Sequence, residues 1–569
     1  MKKIQLTCAH AIVKYLISQK ILVDGKKLPL FAGAFGIFGH GNVACLGQAL
    51  EENQKDLPTW RGHHEQNMAL TGIAYARAKR RKQIFVATSS VGPGSTNLLT
   101  AAAVAMSNRL PILFLPGDTY ANRMPDPVLQ QVEHFNNPNI TQNDAFKYVT
   151  RYFDRITRPE QILTSLPQAI NVMLDPADCG PAFLGLCQDT QELAYDYPED
   201  FFKPTTHMIP RISPDERQII QAVKLIKSSK KPLIISGGGV RYSEAQNELR
   251  GLAQQLQIPV TETIAGKGAF THDDPIHIGP IGVVGSSSAN YAAQRADLII
   301  AVGTRLQDFT TGSWTAFDHE TPFVTINAAR WDAQKHQSLA VVGDAKVCLK
   351  ELLVHLKDFK PTSEWLSETK NEFIEWNKLL DELQAPTNAP IPTYAQVVGL
   401  VNKAAKPDAV MVTAAGGLPG EVSKGWRVKK PNTFDCEFGF SCMGYEIAGG
   451  WGVAMATSGK STPIVMVGDG SYLMMNSDVY SSVLTGHKMI IIVCDNGGFA
   501  VINRLQNFKG GKSFNNLIQD CKVTKPFAVD FAQHAEAMGA LVKQCLSLIH
   551  ISEPTRQAEI SYAVVCLKK

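Results

Sequence analysis

The chain reads as an α/β protein of three blocks, each a parallel sheet covered by helices. Alternation is the first reason: short apolar runs recur, each followed by an amphipathic segment of helical length, the pattern of successive βα units. Punctuation is the second: two polar, proline-containing stretches, 189–214 and 359–392, interrupt that pattern. Length is the third, because 569 residues exceed one core and imply roughly three to four domains. The expected divisions are 1–188, 215–358 and 393–545, with 546–569 set apart.

In chain order, "MKKIQLTCAHAIVKYLISQ" begins basic, as a leader does. His10 and Lys14 break its apolar stretch, however, and Thr7 suits a helix N-cap, so a surface helix is expected. "GAFGIFGHGNV" (33–43) is a glycine-rich turn near the first strand. "QIFVATSS" (83–90) and "LPILFLPGD" (110–118) are strands of the first block. The middle block supplies "KPLIISGGG" (231–239) and "ADLIIAVGT" (296–304). Its "SGGGVRYSE" has the look of a dinucleotide turn but lacks the third glycine, so no nucleotide is expected there. The third block supplies "TPIVMVGDG" (462–470) and "MIIIVCDN" (489–496).

Composition narrows the function. Hydrophobic residues at 44% and charged residues at 19% are ordinary for a globular chain. A net charge of +4 with no long Lys/Arg block argues against a nucleic-acid partner. The eleven cysteines are odd in number and form no C-x-x-C pair, which suits reduced thiols in a cytoplasm better than disulfides or a zinc site. No run reaches the roughly 18 apolar residues of a membrane span. A soluble, cytoplasmic protein is expected.

Ligands of parallel sheets bind beyond the carboxyl ends of strands, and there one stretch stands out. Residues 468–496 read "GDGSYLMMNSDVYSSVLTGHKMIIIVCDN", with polar groups at the ends of two strands. A plain core needs none. Gly468, Asp469, Gly470 and Ser471 lead from a strand into a helix, whose first N–H groups can take phosphate. Mg²⁺ prefers hard oxygens and bridges a carboxylate to a ligand's phosphates. Asp469, the amide oxygen of Asn496 and the carbonyl of Gly498 are the candidate metal ligands. Two ordinary tight turns are the plainer alternative, but paired strand ends at this spacing favour the metal site.

Gly-Asp-Gly, a gap in the high twenties and then Asn resembles the binding motif of thiamine diphosphate enzymes. The first block, from "RGHHEQNMALTG" to "LPILFLPGD", looks like their pyrimidine-binding domain, and "FGFSCMGYEIAGGWGVAMA" (438–456) resembles the stretch that supports the bent cofactor. The resemblance spans residues 1 to about 540. It implies three doubly wound parallel-sheet domains: pyrimidine-binding, middle and diphosphate-binding. It also implies thiamine diphosphate and Mg²⁺ as cofactors, with Ser441, Met443, Gly468, Gly470, Ser471 and Asn496 on the cofactor. Glu65 would contact the aminopyrimidine and exchange a proton with its N1′. His40, in the glycine-rich turn, would move protons at the substrate. His63 and His64 are weaker candidates; the nearest members carry His-Asn-Glu-Gln where this chain has His-His-Glu-Gln.

"GIFGHGNVACLGQAL", "GPGSTNLLTAAAVA" and "AVGTRLQDFTTGSW" are most similar to the branch that opens a polyhydroxylated cyclic 1,2-diketone with water in myo-inositol breakdown. An acetolactate-synthase-like or glyoxylate-carboligase-like carboligase is the alternative. A homodimer or homotetramer is implied, with Glu65 from one subunit and Asp469 and Asn496 from another. Residues 546–569, "LSLIHISEPTRQAEISYAVVCLKK", break the pattern with a polar mixture and Pro554. "SLIHISEPTR" resembles translated sequencing-adapter read-through, so the tail is expected not to complete the third sheet.

Overall fold

Runs such as Ile84–Ser89, Leu298–Val302 and Phe323–Asn327 are buried from end to end, as strands covered by helices on both faces must be. The computed structural model describes residues 2–122, 128–132, 134–359, 364–387, 389, 391–525, 527–545 and 563–568, with backbone alone at 544, 545 and 563–568. Three sheets of parallel strands carry the fold, so the α/β expectation holds. By packing the chain forms two compact units. The first is Met1–Pro210 with Ile447–Lys460 and Met475–His487; the second is Arg211–Glu446 with Ser461–Met474 and Lys488–Lys569.

In the first unit the strands run Thr59–Trp60, Phe31–Ile37, Ile84–Ser89, Leu113–Phe114, Ala182–Cys187, Gly117–Asp118, with Tyr152–Ile156 also on Ala182–Cys187. The strand Phe31–Ile37 takes up the first part of the expected 33–43 turn and leaves 38–43 as the turn proper. The helix Glu65–Ala78 lies on this sheet at glycine distance: a Cβ on Gly72 would sit 2.9 Å from the Cβ of Phe85. A Cβ on Gly452 would sit 2.2 Å from the carbonyl oxygen of Thr71, so two helices touch backbone to backbone there. Beside that contact Phe35 stacks on Phe85 at 5.0 Å and meets Trp451 edge-on at 5.2 Å.

Two expectations need correction here. The helix Cys8–Ser18 is capped by Thr7 as expected, its hydroxyl accepting from the His10 N–H. It is not a surface helix, however: Ile12, Val13 and Leu16 are fully in the core, while Lys14 alone is turned outward in that turn. The stretch 189–214 is not a free linker either. Ala194–Pro198 pairs antiparallel with Lys3–Thr7, and Thr205–His207 pairs with Gln19–Val23.

The middle sheet of the second unit orders its strands His277–Pro280, Val260–Glu262, Pro232–Ser236, Leu298–Val302, Phe323–Asn327, Leu339–Val342. Its glycine-rich turn serves the packing of the loops themselves. A Cβ on Gly237 would lie 2.4 Å from the Gly303 oxygen, and one on Gly266 would lie 2.1 Å from the Ser236 oxygen. The supposed second linker, 359–392, contains a 21-residue helix, Glu364–Gln384. Trp365, Phe373 and Leu380 form its buried stripe, and the Trp365 indole donates to the Pro232 carbonyl at 2.9 Å.

The third sheet runs Phe434–Cys436, Val410–Thr413, Pro463–Gly468, Ile490–Asp495, Ala563–Lys568, Leu541–Cys545, all parallel. Residues 563–568 of the tail thus form an inner strand between two others. That overturns the expectation that 546–569 adds nothing to the sheet; residues 546–562 and 569 lie outside the described residues. The β-branched pair Val564 and Val565 suits an inner strand whatever its origin. Among the described residues no helix is long and apolar enough to cross a membrane.

Candidate active site

In the second unit, Pro463–Gly468 ends where Asp469 opens the short helix Asp469–Met474, and the adjacent strand Ile490–Asp495 ends one residue before Asn496. The register of these two parallel strands therefore sets Asp469 and Asn496 side by side. The buried Asp469 accepts from the Asn496 backbone N–H at 3.2 Å, and the Gly498 N–H also turns toward it. Burial pushes its carboxyl above the usual range while these N–H groups pull the other way. Asn496 donates its Nδ2 to the phenol oxygen of Tyr394. Its Oδ1 is buried and has no partner among the described residues.

Gly498 has φ of 135°, and a Cβ there would strike the Asn516 oxygen at 2.4 Å. Only glycine fits, so the bend that carries the chain past Asp469 is fixed by residue type. Gly470 likewise lies against the Phe499 ring, 2.7 Å from where a Cβ would be. Ser471 donates its hydroxyl to Glu446 Oε2 at 2.7 Å and accepts from the Gly444 N–H at 2.8 Å. The hydroxyl is thus engaged within the protein. Glu446 is fully buried, and that burial pushes its carboxyl up to about 7.

Ser441 and Met443 lie on the loop that precedes this carboxyl. Ser441 is exposed with φ of 55°, and Met443 is half-buried. A second buried carboxylate shapes the loop: Glu437 accepts from the N–H of Phe440 at 2.9 Å and from that of Cys442 at 2.7 Å.

The first unit holds the other residues expected in the site. Glu65 opens its helix behind His64, whose ring nitrogen accepts from the Gln66 N–H. The Glu65 carboxylate is half-buried and accepts from Asn97 Nδ2 at 3.0 Å. A Cβ on Gly94 would come within 3.1 Å of Glu65 Oε1 and 2.4 Å of Ser90 Oγ. His40 is exposed between Gly39 and Gly41, both at positive φ. Its carbonyl accepts from Val91 N–H at 3.2 Å, and a Cβ on Gly39 would lie 2.7 Å from that of Ser90. The 90–94 loop therefore joins the turn carrying His40 to the carboxylate of Glu65.

His63 points elsewhere. Its Nδ1 meets Ser481 Oγ at 2.9 Å, and Ser481 donates to Asp478 at 3.0 Å. Burial, aided by Arg61, lowers the His63 pKa, and burial pushes Asp478 up to about 7.

A divalent cation fits the second unit's donor set. One buried carboxylate, one unpartnered amide oxygen and the adjacent Gly498 carbonyl are hard oxygens of the kind Mg²⁺ takes alongside phosphate. Among the described residues no group of three or more His, Cys, Asp or Glu could hold a metal. The sequence reading missed Tyr394, Asn97, Glu437 and Glu446. Glu446 and Asn97 lie within motifs named above, "FGFSCMGYEIAGGWGVAMA" and "GPGSTNLLTAAAVA"; Tyr394 and Glu437 lie in none.

Residues 31–137 match the family described as "Thiamine pyrophosphate enzyme, N-terminal TPP binding domain". Residues 219–352 match its central domain, and residues 414–564 its C-terminal TPP binding domain. A protein of Listeria monocytogenes serotype 4b (strain F2365), named 3D-(3,5/4)-trihydroxycyclohexane-1,2-dione hydrolase, is 43% identical over 95% of this chain and 88% of its own. A protein of the same name from Clostridium tetani (strain Massachusetts / E88) shows the same identity and coverage. Another of that name, from Bacillus anthracis, is 40% identical over 97% of this chain and 90% of its own.

Proposed function

The chain belongs to the thiamine pyrophosphate enzyme family, and from that premise we propose that it opens a polyhydroxylated cyclic 1,2-diketone with water. The substrate would be 3D-trihydroxycyclohexane-1,2-dione and the product 5-deoxyglucuronate, as in myo-inositol breakdown. The observation that carries the proposal is the likeness to hydrolases of that name, at 43% identity over 95% of the chain.

Bound thiamine diphosphate supplies the carbon nucleophile and electron sink that breaking a C–C bond beside a carbonyl requires. The protein's part is positioning and proton transfer. Glu65, braced by Asn97, holds a proton against the aminopyrimidine N1′. Asp469, Asn496 and Gly498 would hold Mg²⁺ and with it the diphosphate, and the Gly470 and Ser471 backbone would serve the phosphate groups. Met443 and Ser441 support the cofactor from the 438–444 loop. His40 moves a proton at the substrate, its ring exposed on a turn fixed by two glycines. The working assembly is a cytoplasmic homodimer or homotetramer, and the pyrimidine-binding, middle and diphosphate-binding domains are 1–188, 215–358 and 393–545.

Turnover of the cyclic dione, assayed with and without thiamine diphosphate and Mg²⁺, tests the proposal. Activity that needs both cofactors supports it. Condensation of pyruvate or glyoxylate in place of dione hydrolysis would make the chain a carboligase instead.

A further inference from the structure

The end of the Asn496 side chain carries two unlike atoms, and only the oxygen can face a cation. Something must therefore decide which way the amide is turned. In this structure Nδ2 donates to the phenol oxygen of Tyr394, and Oδ1 is left buried and unpartnered beside Asp469. A buried acceptor without a donor is costly unless a ligand satisfies it.

The phenol is itself well anchored. Tyr394 is the first residue of the helix Tyr394–Ala404, which Thr393 caps with a reciprocal bond to Gln396. Gln396 in turn donates to the Ala385 carbonyl at 2.9 Å and to Thr387.

We propose that Tyr394 is a positioning residue for the cation: by accepting from Nδ2, its hydroxyl holds the Asn496 amide with Oδ1 turned into the Asp469 site. The proposal rests on the reading that Asp469, Asn496 and Gly498 hold Mg²⁺. Residues that orient a metal ligand from behind commonly change affinity ten- to hundredfold when removed.

A double-mutant cycle separates orientation from packing. Mg²⁺ binding is measured by calorimetry, at saturating thiamine diphosphate, for the wild type, Tyr394→Phe, Asn496→Asp and the pair together. Tyr394→Phe keeps the ring, and its metal-free melting temperature should match the wild type. The expected result is a loss of about tenfold or more in Mg²⁺ affinity on the asparagine background. On the Asn496→Asp background, where either carboxylate oxygen can serve, the same change should cost less than about threefold. An equal loss in both backgrounds, or none in the first, would overturn the proposal. A wild type that binds the cofactor without any Mg²⁺ would overturn the underlying reading and this proposal with it.

Discussion

Replacing Glu446 by glutamine should make the protein more stable at alkaline pH, and the structure indicates by how much. The carboxyl is fully buried and bonded to neutral donors: the Gly444 N–H at 3.0 Å, the Ser471 hydroxyl, and the backbone N–H groups of Ala415 and of Glu446 itself. Burial raises its pKa from 4.5 to about 7. The folded state therefore binds a proton that the unfolded chain has already released. For a group raised on folding, the stability it contributes is fully present below about 4.5 and is lost as pH rises through about 7. The difference between those values corresponds to about 3 kcal/mol.

Glutamine stays neutral at every pH, and its one oxygen can still accept from the Gly444 N–H and the Ser471 hydroxyl, which share Oε2; any loss at the backbone donors is the same at every pH and leaves the slope untouched. Relative to the wild type, the Glu446→Gln variant should therefore gain up to about 3 kcal/mol between pH 4.5 and pH 8.5. Urea unfolding of both proteins without cofactor, at intervals across that range, reads the effect as a difference between two curves. Asp478 adds a similar slope to both and cancels in the difference. Parallel curves would show that Glu446 does not titrate between its two states, and the reasoning would fail.

Three further outcomes follow from residues described above. Asp469→Ala removes the one carboxylate of the proposed metal site, so calorimetric affinity for thiamine diphosphate with Mg²⁺ should fall by on the order of a hundredfold; unchanged affinity would reduce the site to a pair of turns. Glu65→Gln should leave cofactor binding nearly intact but slow proton–deuterium exchange at C2 of bound thiamine by about a hundredfold or more, read by NMR; wild-type exchange would remove Glu65 from the reaction. A chain ending at residue 545 loses the strand Ala563–Lys568 from between Ile490–Asp495 and Leu541–Cys545 and should unfold at lower denaturant concentration than the full chain. Equal midpoints would instead mark 546–569 as extraneous.

What could be read from the sequence was what is local. Asp469 and Asn496 declared themselves because each ends a strand, and parallel register then brings strand ends together. Thr7 was readable as a cap because its partner, His10, is three residues away. Tyr394 left no trace, since its bond to Asn496 joins positions 102 residues apart. His63 and Ser481 are 418 residues apart, so nothing near "GHHEQ" foretold that His63 would turn toward a serine. The helix Glu364–Gln384 was hidden for a different reason: its buried stripe is thin, and charged residues are as many as apolar ones along it. In Cys8–Ser18 the error was reversed, because one outward lysine was given more weight than the apolar positions around it.

The allocation of Ile447–Lys460 and Met475–His487 to the first packing unit bears on how the protein is born. A ribosome releases Met1–Pro210 long before it releases Trp451 and Gly452, because residues 211–446 must be made in between. At the pace of synthesis that interval is roughly 10–50 s. Throughout it, the face of Phe35 and the glycine-bearing flank of Glu65–Ala78 stand without their eventual cover. The nascent chain thus carries an uncovered apolar surface while residues 211–446 are made. A chain stopped before residue 447 would lack Trp451 and Gly452, and Phe35 and that flank of Glu65–Ala78 would keep no cover from them.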